Sequence, residues 1–458
     1  MWTWSRDRRM PPPAALVTLI FAVAALADEE QLTRTWGVSL PAGIEWAQVV
    51  GRGDAVALLV ATRDARVHVL DPASGQELLA EPVQAGRGVR PAAGPEHAAP
   101  ADVPSDLACC FDRHAVYALR LSRPAALQWQ HGHASAKDDF PGDPEALTGR
   151  VGVALTAAGV LIANTSGEVA LLSYADGSER WRIDLGPLPT ARLHATASTA
   201  VVVWKADDRV QAAFLDLAAP RPQPRVRDLG RHWPIWSGLV ADELLTVSPA
   251  QVTLWPPTGP PRSFDIDTFG LRAAAIDAFV PPDDRGERPA GSAPVSTRPA
   301  AHPLLLLGAG PAPSAYDLVS DQKVWPKSGA RGSGFDVETL TIRGERFVLT
   351  NELGVGVGDL DTGRTELSSL KLPPARLASW DLTTRCLYTL SGDAEDPNAP
   401  FQLERVAPPS QPASRPDGAA PATTTFSLPA GGTLRQVLWP PGALVLVEKN
   451  GLRAFRLP

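Results

Sequence analysis

Apolar and polar positions alternate along Arg66-Val-His-Val-Leu-Asp-Pro-Ala-Ser-Gly-Gln-Glu-Leu-Leu79. Successive side chains of an extended chain face opposite ways, so Val67 and Val69, joined by Asp71, point to one side. Arg66, His68 and Leu70 point to the other. Asp71 to Gly75 then reads as a tight turn, in which Asp71 bonds local amides and Gly75 supplies backbone freedom. Around this stretch lie Trp46 to Val50, Ala55 to Ala61, Val67 to Leu70 and Leu78 to Val83. Four short strands in a meander are the content of one propeller blade.

The same unit recurs. After a Pro/Ala/Gly-rich loop from Gln84 to Pro104, Leu107 to Phe111 and His114 to Leu121 form a hairpin, with Leu127-Gln-Trp129 outside it. This second unit shows no clear first strand. The third runs from Val151 to Trp181, the fourth from Arg192 to Asp216, and the fifth from Ile235 to Trp255. A sixth is split by a polar, Pro-rich insert from Pro281 to Pro299 and ends near Val324-Trp325. A seventh contains Phe347 to Asp359, and an eighth begins at Arg376 and is interrupted by Pro408 to Pro421. The last residues offer three strands, Leu434 to Trp439, Ala443 to Glu448 and Leu452 to Leu457, with no fourth. A propeller hides such an edge by lending it a strand from the other terminus, and Arg34 to Leu40, carrying Trp36, is the candidate. The reading is all-β: a single propeller of about eight four-stranded blades, within a range of seven to nine, over residues 28–458.

The turns carry a loose signature. Asp71-x3-Gly75-x3-Leu79 and Asp359-x3-Gly363-x3-Leu367 share one spacing. Ser173-x3-Gly177-x3-Trp181 gains a tryptophan, and Asp317-x3-Asp321-x3-Trp325 keeps its ends but loses the glycine. These repeats resemble those of the quinoprotein-like superfamily of propellers. The resemblance implies that the glycine makes the turn and the tryptophan packs between neighbouring blades.

Composition narrows the function. A net charge of −7 over 458 residues, without a basic block, argues against nucleic acid as a partner. With 46 Pro, 38 Gly and 2 Met the chain is rich in turns and poor in long helices. Three cysteines exclude a disulfide-dense scaffold. At the N-terminus, Arg6, Arg8 and Arg9 precede an apolar run from Ala14 to Ala27 that ends in Ala25-Leu-Ala27. This pattern reads as a signal peptide over residues 1–27, too short to span a bilayer. No cysteine follows the cleavage site, which excludes a lipid anchor there, and no later stretch reads as a transmembrane helix. The mature chain is expected to be exported or lumenal.

Candidate chemistry is sparse. Cys109-Cys110 could form a strained ring disulfide of the kind found beside the cofactor of quinone-dependent alcohol dehydrogenases. The plainer reading places two small residues on opposite faces of the strand Leu107 to Phe111. The general base and calcium ligands of such an enzyme cannot be assigned. Cys386 reads as a buried strand residue. His131-Gly-His133 with Asp138-Asp139 has ligand residue types but sits in an apparent interblade loop without a third histidine, and His68 reads as a strand-surface residue. Asn164-Thr-Ser166 is a candidate glycosylation sequon if its loop is exposed. No nucleophile elbow, phosphate-binding loop or zinc-protease motif occurs, so neither a catalytic residue nor a cofactor or metal site is assigned.

Several stretches are similar to the N-terminal half of ER membrane protein complex subunit 1. These are Trp36 after the signal peptide, Leu59-Val-Ala-Thr62 through Gly75 and Leu78, and His232-Trp-Pro-Ile-Trp-Ser-Gly-Leu-Val-Ala-Asp-Glu-Leu244. Glu352 to Leu367, with Asp361-Thr-Gly-Arg364, joins them. The resemblance implies a non-catalytic scaffold in the endoplasmic reticulum lumen, partnered by other subunits of a complex that inserts transmembrane segments. Family members continue into a second β-domain and a transmembrane helix, so attachment of this chain to the membrane is expected through partners. The other expectations are an exported bacterial scaffold propeller, periplasmic or secreted, and the quinone-dependent dehydrogenase motivated by Cys109-Cys110.

Overall fold

The computed structural model describes residues 30–457 except 87, 93–102, 113, 133–151, 189–190, 241, 267–270, 278–302, 310–312, 326–338, 344–345, 352–353, 361–362, 364, 368–376, 382–385, 392–399, 407–422 and 430–432. The signal peptide expected at residues 1–27 and the Pro-rich inserts 281–299 and 408–421 therefore lie outside the described residues.

Among the described residues the chain forms nine four-stranded meanders, at the upper end of the range read from the sequence. They span residues 44–84, 90–132, 152–184, 191–230, 236–265, 271–325, 339–367, 377–428 and 434–456, and are called sheets 1 to 9. The one helical element among them is a single turn, Gly53–Ala55, and no described helix is long and apolar enough to cross a membrane.

Burial explains the architecture. In the strand Thr199–Ala206 of sheet 4, Ala200, Val202 and Trp204 pack against sheet 3, whereas Val201 and Val203 pack against sheet 5. Every sheet is buried on both faces in this way, and the strand Ala57–Thr62 is buried at all six positions. Such strands read as unbroken apolar runs, since the polar half of the alternation is gone. Clusters of buried residues join each sheet to the next, and another joins sheet 9 back to sheet 1 through Val445, Val447, Leu58 and Val60. All-β propeller packing follows.

Two sequence expectations change in detail. Sheet 2 has its first strand after all, Arg90–Pro91, hidden in the Pro-rich stretch and paired with Phe111 and Cys110. Two residues, one a proline, give no alternation to detect. The outer strand of the same sheet runs over Ala126–Gly132, so His131 lies on a strand rather than in a loop.

Sheet 9 takes its fourth strand, Arg34–Ser39, from the N-terminus, antiparallel to Gly451–Arg456 with Trp36 opposite Ala454. Just before it, Glu30–Gln31 adds a parallel fifth strand to the edge strand Thr423–Leu428 of sheet 8. Arg435 donates to the carbonyl of Ile44 at 3.0 Å, tying sheet 9 to the inner strand of sheet 1. The N-terminal strand thus covers an edge and contributes Trp36, which is 8% exposed, to the core shared by sheets 9 and 1. Removing Arg34 to Leu40 should lower the melting temperature by more than about 5 °C, given a loss of roughly 3–5 kcal/mol for a buried tryptophan alone. An unchanged melting temperature would show that this strand does not hold the last sheet.

Candidate functional site: clamps between neighbouring sheets

The signature turns lie between the third and fourth strands of their sheets. In sheet 1, the amide of Gly75 donates to the carbonyl of Asp71 at 2.8 Å, and the Asp71 carboxylate accepts from the amide of Ala73 at 2.8 Å. Gly177 donates to Ser173 and Gly363 to Asp359 in the same way, with φ of 69° and 67° against 71° at Gly75. This left-handed backbone favours glycine.

The glycines also make room for a neighbour. The Trp36 indole, on the outer strand of sheet 9, donates to the carbonyl of Pro72 at 2.9 Å, and a Cβ on Gly75 would lie 2.5 Å from its ring. Trp129 on sheet 2 repeats the contact on sheet 3, donating to the carbonyl of Tyr174 at 2.9 Å, with Gly177 under its ring. His131 Nδ1 adds a bond to the carbonyl of Gly177 at 3.1 Å. In both clamps an aromatic donor on one sheet reads the second carbonyl of the next sheet's turn.

The pattern changes where the glycine is lost. In sheet 6 the corresponding residue is Asp321, held at φ 57°. Arg262 on sheet 5 reaches the turn, donating to the carbonyls of Leu318 at 2.5 Å and Val319 at 3.0 Å, with Asp321 Oδ1 at 3.3 Å. A guanidinium and a carboxylate thus stand where an indole and a glycine stand elsewhere. Sequence reading missed Arg262 because it sought tryptophan; the missing glycine at Asp321 was the available signal. Trp181 on sheet 3 packs with Leu215 and Leu217 of sheet 4, but its Nε1 has no partner among the described residues. The sheet 4 turn, Leu217-Ala218-Ala219, carries no glycine for the ring to approach. Trp325 pairs with Ala315 through its backbone, while its side chain is outside the described residues, and the Asp317 carboxylate accepts the amide of Val319 at 2.8 Å. The Asp71 turn is held from a second side by an ion pair between its carboxylate and Arg123 of sheet 2.

The residues singled out for chemistry are taken up by packing. Cys109 and Cys110 are free thiols on the strand Leu107–Phe111. Cys109 faces sheet 3 and Cys110 faces sheet 1, so their sulfurs point apart and form no ring. Burial pushes the Cys109 thiol up to about 12 and raises Cys110 too, with Cys109 and Asp112 adding to the second shift. Neither is a thiolate at neutral pH. Cys386 is buried and accepts from Arg405 Nε at 3.3 Å. His68 pairs with Glu77 at 2.7 Å. Asn164 is 4% exposed; its amide donates to Glu168 at 2.9 Å and its carbonyl accepts from Ser166 at 2.6 Å. The sequon's acceptor nitrogen is therefore occupied within the folded turn. His133, Asp138 and Asp139 lie outside the described residues.

Asp112, unnoticed in the sequence, is 3% exposed. It accepts from the Tyr117 hydroxyl at 2.6 Å, from the amides of His114 at 2.6 Å and Ala115 at 2.9 Å, and from the amide of Gly86 at 2.5 Å. Burial pushes its pKa up, but the Tyr117 hydroxyl and these amides outweigh burial and hold the carboxyl below its ordinary value. The group fastens the crossing chain at Gly86 to the central hairpin of sheet 2.

No family model matches the chain, and no curated protein matches it. Solved structures do. A structure of a eukaryotic initiation factor is similar over 85% of this chain and 90% of that one, at 11% identity and a TM-score of 0.51. BamB from Moraxella catarrhalis is 13% identical over 93% of this chain and 100% of its own, with a TM-score of 0.43. The WD40 domain of SCAP from fission yeast is 9% identical over 94% and 98%, with a TM-score of 0.47. At 11% identity the likeness to the initiation factor structure is one of fold.

Gly75→Ala should destabilise the protein by about 1–3 kcal/mol, since the methyl meets both a left-handed backbone and the Trp36 ring; equilibrium denaturation measures it. Asp112→Asn should cost about 2–3 kcal/mol at pH 7 by leaving buried donors short of an acceptor. Because the folded pKa of Asp112 is lowered, its stabilisation is present above the unfolded value near ~3.9 and is lost as pH falls through the folded value. The melting-temperature gap between wild type and Asp112→Asn should therefore close below about pH 4, and a constant gap down to pH 2 would contradict the carboxylate's role.

Proposed function

We propose that the chain is a non-catalytic scaffold propeller of the secretory lumen that works by binding other proteins, in the manner of ER membrane protein complex subunit 1. The observation that carries this reading is the occupation of its reactive groups in holding sheets together. Asp112 closes four hydrogen bonds, Cys109 and Cys110 are buried thiols, and Trp36, Trp129 and Arg262 clamp turns. A ring fastened in this way presents fixed loops for recognition, as propellers of many functions do.

The resemblance at Leu59 to Leu78 and at His232 to Leu244 supports a place among the lumenal subunits of a membrane-insertion complex. A signal peptide read at residues 1–27 supports entry into that compartment. In mammalian cells a C-terminally tagged chain should enter the endoplasmic reticulum and co-purify with subunits of the insertase complex. Recovery from the medium as a monomer free of those subunits would overturn the reading.

A further inference from the structure

The connection from the outer strand of sheet 4 to the inner strand of sheet 5 runs through Arg231-His232-Trp233-Pro234-Ile235. In a four-stranded meander this crossing lies on the face opposite the clamp turns. One side of the Trp233 indole packs against the core between sheets 4 and 5. Arg192, at the start of the inner strand of sheet 4, places its guanidinium over the ring at 5.0 Å from the centroid. A guanidinium held over an indole face leaves its N–H groups able to bond elsewhere.

Those N–H groups are underused. Nη1 makes two long contacts, to the carbonyl of Pro234 at 3.3 Å and to the Ser237 hydroxyl at 3.4 Å. Nε and Nη2 have no partner, and no carboxylate pairs with Arg192, among the described residues. His194, two residues along the same strand, shares the Ser237 hydroxyl at 2.9 Å. Two basic side chains thus enter one seam and meet a hydroxyl and a ring. Burial lowers the pKa of Arg192, as expected for a cation drawn from water without a counter-ion. Arg123 with Asp71, Arg262 with Asp321 and Arg453 with Glu448 are arginines that do meet an acid. Beside the seam Ile235 is 44% exposed, which puts an apolar contact next to the cation.

We propose that the seam between sheets 4 and 5 binds an acidic peptide segment of a protein partner, with a glutamate or aspartate carboxylate on Arg192 and an adjacent apolar side chain on Trp233 and Ile235. The fork of Arg192 fits a carboxylate bidentately. A stacked arginine beside an exposed apolar residue is the usual composition of an anchor in a protein interface. Nucleic acid fits poorly, because the sequence has no basic block to neutralise a run of phosphates, whereas one guanidinium suits one carboxylate. This inference deepens the scaffold reading and rests on it.

Fluorescence anisotropy of a dye-labelled, acetylated and amidated peptide alternating glutamate with leucine, titrated with the purified full chain, tests it. The glutamine–leucine peptide is the control. The acidic peptide should bind at least about tenfold more tightly than the control, the range of one charge-assisted bidentate contact, and weaken with added salt. Arg192→Gln and Trp233→Ala should each reduce that preference by about tenfold, and Arg192→Lys by less, because it keeps charge without the fork. If Arg192→Gln proves unstable, Ile235→Glu on the exposed rim should lower acidic-peptide affinity by repulsion and leave the melting temperature unchanged. Equal binding of the two peptides, insensitivity to these substitutions, or a preference for phosphatidylserine vesicles over the peptide would each overturn the site. Loss of insertase subunits from the tagged chain would overturn the scaffold reading and leave the peptide result standing. Subunit recovery with equal peptide binding would remove this site alone.

Discussion

The structure depends on each sheet burying both of its faces. Strand side chains alternate by geometry, so a strand such as Thr199–Ala206 must satisfy two different neighbours with odd and even residues of one short run. A sheet with two apolar faces has no stable arrangement alone, nor has a stack with two ends. Carrying the last sheet back to the first removes both ends, and the cluster of Val445, Val447, Leu58 and Val60 does so here. The N-terminal strand follows from the same need, because three strands would leave a long hydrophobic edge exposed beside that cluster.

Burial of this kind is non-directional and would tolerate sheets that slide or rotate on one another. The clamps supply direction. Trp36, Trp129 and Arg262 each reach from an outer strand to the second carbonyl of the next turn, fixing the angle and height of adjacent sheets by a hydrogen bond as well as by contact. Their chemistry varies with the residue beneath. A flat indole needs a glycine, and where Asp321 replaces the glycine a guanidinium takes over, because it can answer a carboxylate that an indole cannot. At Trp181 the indole N–H meets no acceptor among the described residues, and the ring packs with Leu215 and Leu217.

Charged groups are paired on both faces of the ring. On the clamp side the Asp71 turn is held by Arg123. On the opposite side, the seam at Arg192 and Trp233 holds a cation whose donors point at little else.

The repeat of strands and turns was legible in the sequence because two local rules write it there: alternation at Arg66 to Leu70, and glycine where the backbone turns left-handed at Gly75, Gly177 and Gly363. The need for a borrowed strand was legible too, since the final unit visibly lacks one. What the sequence did not disclose lies between sheets. Arg90–Pro91 is a strand only because Phe111 and Cys110 pair with it. Cys109 and Cys110 are neighbours in sequence yet belong to different cores. Asn164 looks like an open sequon until Glu168 and Ser166 fold onto it. Arg262 and Asp112 matter through partners 56 and 26 residues away. Local conformation is set by neighbours along the chain, whereas burial and charge pairing are set by neighbours in space. Only the assembled ring decides which acid, thiol or guanidinium is answered.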